Sequence, residues 1–225
     1  DGKVLIHDKV NYKLPLGFLG NLVAGRMIRK RLSRMFTARE IRLERDLKRH
    51  AELNHLKRKK ILIAGSSGLI GRQLVAFLDT GGHDVWRLVR REPRAGEKEI
   101  RWDPAQEKIN PAELEEFDTI IHLGGAGIGD KRWTRKRMKL IEESRTKSTT
   151  FLSNTISNLK NKPESFIVSS AVGWYGERGN EELTENSEPG QGFLPNTCAK
   201  WEESCQAARD AGIRTVNLRT GIVLD

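Results

Sequence analysis

Several features that would fix the class of a protein at once are missing from these 225 residues. No apolar run comes near the roughly 20 residues that a membrane-spanning helix needs, and no secretory signal peptide is visible at the start. Only two cysteines occur, Cys198 and Cys205. On one helix they would lie about 10 Å apart, too far for a disulfide. Free thiols are typical of a reducing compartment, either the cytoplasm or an organelle matrix, and we favour the cytoplasm.

Histidine is equally scarce. The five histidines have no spacing typical of metal ligands, so we expect no metal site. His122 is the one that invites a chemical role, because it ends an apolar run just before a glycine turn. It could act as an acid or a base, or it could be a packed or hydrogen-bonded structural residue. We favour the structural interpretation.

Acidic residues are few at one end of the chain. Residues 1–60 hold 17 lysines and arginines against 6 acids, whereas residues 61–225 hold 23 against 24, so the net charge of +10 belongs to the first segment. Such a segment could contact nucleic acid, anionic lipid or an acidic partner, or it could be a solvated helix face. We favour the solvated face. The near-neutral remainder predicts no nucleic-acid partner.

The basic segment itself predicts a strand over Lys9–Leu14, a break at residues 15–17 and a long helix over Leu19–Leu53. The apolar residues of this helix recur every three or four positions and form one stripe. They are Ile28, Leu32, Met35, Phe36, Leu43 and Leu47. A strand and a helix cannot form a core alone, so we expect a domain that begins earlier. The chain starts at Asp1 and ends inside an apolar run, so both ends are expected to lie within a longer protein.

From Ile61 onward, strands and helices alternate, which predicts an α/β fold with a doubly wound parallel sheet. The predicted strands are Ile61–Ala64, Asp84–Val89, Glu99–Trp102, Thr119–Leu123, Phe166–Ser170 and Thr215–Leu218. The predicted helices are Leu69–Asp79, Lys131–Leu159 and Pro195–Ala211. Residues 176–192 are rich in Gly, Glu and Asn and predict a mobile loop at the carboxyl edge of the sheet, where ligands bind in such folds.

The most informative segment is the glycine turn that joins the first strand to the first helix of this fold. Gly65 permits a tight turn, Gly68 the close approach of a phosphate, and Gly71 close packing of helix on strand. Backbone N–H groups at the start of the helix would face a pyrophosphate. The predicted cofactor contacts here are Gly65, Ser67, Gly68, Leu69, Ile70 and Gly71. An ordinary βα turn is the alternative.

Two further segments bear on the cofactor. Arg90 and Arg91 end the second strand, and two guanidinium groups suit a 2′-phosphate, whereas NAD is usually held there by a carboxylate. We therefore favour NADP(H) over NAD(H), although Glu92 could rotate inward and the arginines could simply be exposed. The small residues after the fourth strand would let the cofactor lie against the backbone. The predicted contacts there are Leu123, Gly124, Gly125 and Ala126.

Together with the glycine turn, five short motifs make the chain resemble an atypical branch of the extended short-chain dehydrogenase/reductases, the NAD(P)-dependent epimerase/dehydratase-like "epimerase family". They are Trp102-Asp103-Pro104, Asp130-Lys131-Arg132-Trp133, Ser144-Arg145, the run Ser169–Gly176 and Leu218-Arg219-Thr220-Gly221. The resemblance implies a Rossmann domain over residues 58–225, a bound NADP(H), a further cofactor contact at Arg145 and a substrate domain that this chain mostly lacks.

Residues 8–50 resemble, more weakly, the last strand and helix of a START-like (polyketide-cyclase-type) domain. That resemblance assigns residues 1–57 to the end of a truncated α+β ligand-binding domain. When complete, such a domain would hold a hydrophobic ligand.

One departure from the family pattern concerns the catalytic residues. Extended reductases act through a Tyr-x-x-x-Lys pair on the helix after the fifth strand. Aligning Glu202 with the glutamate that follows the pair puts Leu194 and Cys198 at its positions, and aligning Lys200 with the lysine puts Asn196 where tyrosine should be. The chain has only Tyr12 and Tyr175, so the usual proton relay is absent.

Two hydroxyl groups remain as catalytic candidates. Ser170 matches the Ser/Thr position of the family, and Tyr175 follows in the turn that faces the substrate. A phenol needs a nearby cation to act as a base, and Lys200 and Arg178 are the candidates. Packing of Tyr175 beneath the loop is the alternative. For Cys198 we favour helix packing over a nucleophilic role.

Trp201 and Glu202 lie on the same predicted helix. Trp201 is expected to anchor that helix against the sheet, and Glu202 to hold a loop amide or an arginine.

Two functions follow from these residues. The leading hypothesis is an NADP-dependent oxidoreductase or epimerase that acts on a small carbonyl or hydroxyl substrate. The alternative is a non-catalytic NADP(H)-binding sensor or scaffold, suggested by the missing Tyr/Lys pair. A nucleic-acid or membrane function of the basic helix ranks last, because its apolar stripe already predicts an intramolecular contact.

Overall fold

A computed structural model of the chain describes residues 6–12 and 17–223, with side chains in the first helix from residue 24 onward. The chain divides into two compact units, residues 1–56 and residues 57–225. This division lies one residue from the expected domain boundary. The assignment of the first unit to a START-like domain stays a prediction.

In the described residues of the first unit, the regular secondary structure is one long helix, α1 (Gly17–Glu52). Ile28, Leu32 and Phe36 follow one another at four-residue steps and are half-buried, whereas Met35 and Leu47 are exposed. The predicted apolar stripe is therefore partly buried only in the first half of the helix.

The expected strand over Lys9–Leu14 is wrong for the residues that the structure describes. Residues 9–12 are exposed and have no strand structure. Extended backbone becomes a strand only through ladder hydrogen bonds to a neighbour, and the described part of this unit offers no second strand. Residues 13 and 14 lie outside the described residues, as do residues 15 and 16 of the expected break, and Gly17 already begins the helix.

The second unit is built on one seven-stranded sheet. Its strands are β1 (Lys60–Ala64), β2 (Asp84–Val89), β3 (Glu99–Asp103), β4 (Lys108–Ile109), β5 (Thr119–His122), β6 (Ser165–Ala171) and β7 (Arg214–Thr220). Its helices are α2 (Leu69–Thr80), α3 (Arg135–Ser157), α4 (Phe193–Glu203) and α5 (Gln206–Asp210). The strand order is β4-β3-β2-β1-β5-β6-β7, and all pairs are parallel except β3 with β4.

Both faces of the sheet are covered, as the continuous apolar runs of its central strands predict. Successive residues of a strand point to opposite faces. Leu62 and Ala64 belong to the larger cluster, which includes residues of α3, α4 and α5, whereas Ile61 and Ile63 pack with Val75 of α2. The expected doubly wound α/β fold is confirmed.

The structure refines the predicted helix boundaries. Helix α3 begins at Arg135, because the Thr134 hydroxyl accepts a hydrogen bond from the N–H of Arg137 (3.2 Å) and caps the first turn. The single helix expected over Pro195–Ala211 is divided into α4 and α5, since the N–H of Cys205 turns to the carbonyl three residues back (3.3 Å).

The order of the strands determines where a ligand can bind. The chain winds outward from β1 through β2 and β3, then returns to pair β5 with the other side of β1. In open α/β sheets, ligands bind at the carboxyl ends of the strands on either side of such a reversal, which here are the ends of β1 and β5. The glycine turn follows β1, and the segment of small residues follows β5.

Candidate functional site

The turn between β1 and α2 is held together by two close approaches. Gly65 has φ of +85°, and a Cβ there would lie 2.8 Å from the carbonyl carbon of Leu123. A Cβ on Gly71 would lie 2.2 Å from the carbonyl oxygen of Gly65. The turn therefore packs against the end of β5 and against its own helix, and neither glycine can be replaced without moving backbone.

The same turn leaves the start of α2 open to an anion. Gly68 is the N-cap, so no side chain caps the helix, and the first turn contains no acidic residue. Ser67, Gly68 and Ile70 are exposed there. Uncapped N–H groups and the positive end of the helix dipole favour a phosphate. The geometry fits the pyrophosphate of a dinucleotide.

The two arginines at the end of β2 differ in what they contact. Arg91 donates two hydrogen bonds to the carboxylate of Glu99 on β3 (2.8 and 2.6 Å), which is buried, with 3% of its side chain exposed. The N–H of Arg94 also donates to this carboxylate (3.0 Å), and these bonds lower the pKa of Glu99 to about 2. Arg90 is exposed at the strand tip. Arg91 thus fixes the loop after β2, whereas the Arg90 side chain is exposed and could bind an anion.

Glu92, the acid that could have favoured NAD, is engaged by an arginine of the neighbouring strand. Its carboxylate pairs with Arg101 of β3, and its carbonyl oxygen accepts a hydrogen bond from Arg91 (2.7 Å).

His122 is fully buried at the end of β5 and has a structural role. Its Nδ1 accepts a hydrogen bond from the N–H of Gly124 (3.2 Å), so the neutral ring carries its hydrogen on Nε2 and donates it to Ser148 Oγ (2.9 Å). The Ser148 hydroxyl in turn donates to the carbonyl oxygen of Ser144 (2.7 Å). Burial lowers the pKa of His122 to about 4. The ring is therefore a neutral link between β5 and α3.

The small residues after β5 are fastened by the Ser144-Arg145 motif of α3. The N–H of Ala126 donates to Ser144 Oγ (2.9 Å), and Arg145 donates to the Ala126 carbonyl oxygen (2.9 Å) and to the carbonyl oxygen of Ile141 (2.9 Å). A Cβ on Gly125 would lie 3.0 Å from the Arg145 guanidinium carbon. A side chain at this position would therefore press on the Arg145 guanidinium.

Arg145 is buried, and its guanidinium lies 5.1 Å from the ring centre of Trp201. Trp201 is buried in the core cluster that includes residues of the sheet, as expected, and it donates to the hydroxyl of Thr149 (3.0 Å), which joins α4 to α3. Burial lowers the pKa of Arg145.

The carboxyl ends of β6 and β7 carry a connected polar cluster. Ser170 Oγ donates to Glu202 Oε1 (2.6 Å), and Arg219 binds the same carboxylate through Nε (2.9 Å) and Nη2 (3.0 Å). Arg219 Nη1 also donates to the Tyr175 hydroxyl (3.2 Å). We call these four residues the Ser–Glu–Arg–Tyr cluster. It joins both predicted catalytic hydroxyls through one ion pair.

Residues 61–223 match the family described as NAD dependent epimerase/dehydratase. The chain belongs to this family.

Similar curated proteins carry the name Epimerase family protein. One from Mycobacterium bovis is 37% identical over 164 residues, which cover 73% of this chain and 54% of that protein. The human protein SDR39U1 is 30% identical over 168 residues, covering 73% and 55%. The chain thus spans about half the length of these relatives.

Two solved structures share the fold. A nucleoside-diphosphate sugar epimerase from Corynebacterium glutamicum has 38% identity and a TM-score of 0.73, over 85% of this chain and 40% of its own. Human SDR39U1 with NADPH has 27% identity and a TM-score of 0.63, over 73% and 54%.

In this epimerase-family chain, the Ser–Glu–Arg–Tyr cluster shows that neither expected cation contacts the Tyr175 hydroxyl. Lys200 binds Glu142 on α3 (3.0 Å to each oxygen), and Arg178 binds Glu181 within its own loop (2.7 and 2.6 Å). The cation that contacts the Tyr175 hydroxyl is Arg219. The expectation that Glu202 holds an arginine is confirmed.

The structure also ranks the two hydroxyls by access. Ser170 is 2% exposed, whereas Tyr175 is half-buried. The Cys198 thiol is buried, and burial raises its pKa, which agrees with a packing role. Cys198 and Cys205 are both free, as expected.

Two negative findings complete the site. Across residues 6–12 and 17–223, no three His, Cys, Asp or Glu side chains come together as metal ligands could. No helix in the described part of the chain has the length and apolar character needed to cross a membrane.

Proposed function

We propose that this chain is the nucleotide-binding part of an NADP(H)-dependent oxidoreductase or epimerase that acts on a small carbonyl or hydroxyl substrate. The observation that carries the proposal is the hydrogen bond from Arg219 to Tyr175 at the carboxyl edge of a dinucleotide-type sheet. It supplies a hydroxyl with an adjacent cation, which is what acid–base chemistry at a substrate oxygen requires. The sugar-epimerase and NADPH-bound relatives are consistent with it.

The residues that would hold the cofactor follow from the geometry. The uncapped start of α2 suits the pyrophosphate, and exposed Arg90 suits a 2′-phosphate. Arg91 would contribute indirectly, because its hydrogen bond to Glu99 holds the loop after β2 in place. The Glu92 carboxylate is paired with Arg101, which offsets the negative charge that would otherwise repel the phosphate. This arrangement favours NADP(H).

When bound, a nicotinamide cofactor supplies or accepts hydride. The chain must then hold or move a proton at the substrate oxygen. The Tyr175 hydroxyl accepts a hydrogen bond from Arg219, so its own hydrogen is free to bond a substrate oxygen. Ser170 directs its hydrogen to Glu202 and presents only acceptor capacity in this arrangement.

A sensor or scaffold that binds NADP(H) without chemistry is the second candidate. The burial of Ser170 and the engagement of its hydroxyl by Glu202 favour it. This candidate predicts NADPH binding without NADPH consumption in the presence of any small aldehyde, ketone or nucleotide sugar. Turnover on the order of 1–1000 per second with one of them would eliminate it.

The cofactor assignment is tested by fluorescence titration of the protein, with its native continuation, with NADPH and with NADH. We expect tighter binding of NADPH, and a loss of affinity of roughly tenfold in Arg90→Ala for NADPH only, because a lost phosphate contact is worth about 1.4 kcal/mol. Arg214→Ala is the matched control, since Arg214 is exposed at the opposite end of a parallel strand. Equal affinities for both nucleotides would contradict the NADP assignment, and no binding of either would remove the proposed function.

A further inference from the structure

Arg219 is the member of the Ser–Glu–Arg–Tyr cluster that carries the positive charge, and its surroundings hold it in one position. Its side chain is 16% exposed. Besides the bidentate pair with Glu202, its Nη1 donates to the carbonyl oxygen of Glu185 (3.1 Å). The guanidinium carbon lies 3.8 Å from the ring centre of Trp174. A guanidinium with two carboxylate bonds, a carbonyl bond and an aromatic neighbour has little freedom to move.

This position places a fixed positive charge at one particular oxygen. The Arg219 Nη1 donates to the Tyr175 hydroxyl, and the guanidinium lies 5.3 Å from the centre of that ring. A hydrogen bond from a cation stabilises negative charge that develops on the acceptor. An arginine side chain stays protonated in proteins, and the hydrogen bonds to Glu202 raise the pKa of Arg219 further.

Glu202 orients the guanidinium that carries this charge. Both of its oxygens bind Arg219, so the planar guanidinium is oriented by two parallel bonds and its remaining nitrogen points at Tyr175. The strand register supports the arrangement, because Arg219 of β7 is paired with Ser170 of β6. The two neighbouring strands thus bring the arginine and the serine to the same carboxylate.

We propose that Arg219, oriented by Glu202, is the positioning residue that supplies positive charge to the Tyr175 hydroxyl in place of the absent lysine of the Tyr-x-x-x-Lys pair. The inference rests on the proposed function. In the reducing direction the Tyr175 O–H bond breaks, its proton goes to the substrate oxygen as the carbonyl carbon receives hydride from the nicotinamide, and the electron pair stays on the phenol oxygen beside Arg219. Water then returns a proton to Tyr175.

The test uses the fact that the chain has only two tyrosines, Tyr12 and Tyr175. Tetranitromethane nitrates the ionised phenol, and peptide mass spectrometry reports the two sites separately, with Tyr12 as the internal reference. In Arg219→Gln we expect nitration of Tyr175 relative to Tyr12 to slow by roughly threefold to tenfold, because the stabilising charge is gone. Arg219→Lys should restore most of the rate. Arg178→Gln is the control, since Arg178 binds Glu181 instead, and it should leave the ratio unchanged.

The opposite outcome is equally clear. If Arg219 merely packs against the ring, its removal exposes Tyr175, and nitration stays the same or becomes faster; either result would overturn the inference. Circular dichroism and NADPH titration of each variant establish that it is folded. NADPH binding with unslowed nitration in Arg219→Gln refutes the role of Arg219 alone, whereas absent NADPH binding by the unsubstituted protein refutes the proposed function.

Discussion

At the scale of single residues, His122 couples the stability of the sheet to pH. Its ring is buried, and both nitrogens are used: Nδ1 accepts from Gly124 and Nε2 donates to Ser148. Protonation would require Nδ1 to give up its acceptor role inside the protein. Since its pKa is about 4 in the folded chain and ordinarily 6.5, the unfolded chain binds a proton that the folded chain rejects.

This difference predicts the sign of a pH effect. The contribution of His122 to stability is complete above pH 6.5 and falls as the pH decreases toward 4. His122→Gln can still accept and donate but does not ionise, so we expect it to lose roughly 2 kcal/mol of the stability change between pH 7 and pH 4.5. Urea unfolding of both proteins at the two pH values measures it. An identical pH dependence in the variant would mean that His122 titrates normally.

Single residues also mark the limit of what the sequence could predict. The hydroxyls of Ser170 and Tyr175 were predictable because they lie in one motif. Their partner Arg219 lies 44 residues beyond Tyr175 on another strand, and only the pairing of β6 with β7 brings it to Glu202. The nearer cations were misleading because each is bound by an acid. Arg178 binds Glu181, three residues further along the chain, and Lys200 binds Glu142, 58 residues earlier on α3, which no sequence spacing reveals.

At the scale of elements, two glycines of the glycine turn differ in how much space a side chain would have. A Cβ on Gly71 would lie 2.2 Å from the carbonyl oxygen of Gly65, a distance that backbone must move to relieve. A Cβ on Gly68 would lie 3.3 Å from the same oxygen, which a small adjustment accommodates. Gly71 therefore serves the packing of α2, and Gly68 serves what approaches the turn from outside.

Alanine substitutions should separate these two roles. We expect Gly71→Ala to lower the free energy of unfolding by about 1–3 kcal/mol or more, as overpacking does. Gly68→Ala should stay within about 1 kcal/mol of the parent yet weaken NADPH binding, because its methyl group obstructs the phosphate. Gly129→Ala, which meets nothing within 4 Å, is the stability control. Unimpaired NADPH binding by Gly68→Ala would show that the phosphate lies elsewhere.

The elements themselves were largely predictable, since apolar runs followed by glycine and then by helical periodicity are typical of βα units. Besides the wrong strand over Lys9–Leu14 and the later start of α3 at Arg135, two further details were not predictable. Strand β4 has only two residues, too few to give a pattern. The division between α4 and α5 depends on a single shifted hydrogen bond at Cys205, which leaves no trace in the apolar periodicity.

At the scale of the whole molecule, the two units should differ in resistance to protease. The second has a two-sided core, whereas α1 is largely exposed and rich in arginine and lysine. Helices that bury little apolar surface open readily. We expect brief trypsin treatment to cut within residues 26–60 first and to leave a fragment near residues 59–225, identified by mass spectrometry. A chain that stays intact while the second unit is cut would contradict this difference.

The two edge strands of the sheet differ in length and in direction of pairing. One edge is β4, two residues long and antiparallel. The other is β7, seven residues long, with Leu218 44% exposed and no strand on its outer side among the described residues. A long edge with unpaired backbone groups recruits further strands from any chain that offers them. This chain expressed on its own should therefore associate through β7 as its concentration rises, and a strand supplied at that edge would act as its solubilising partner.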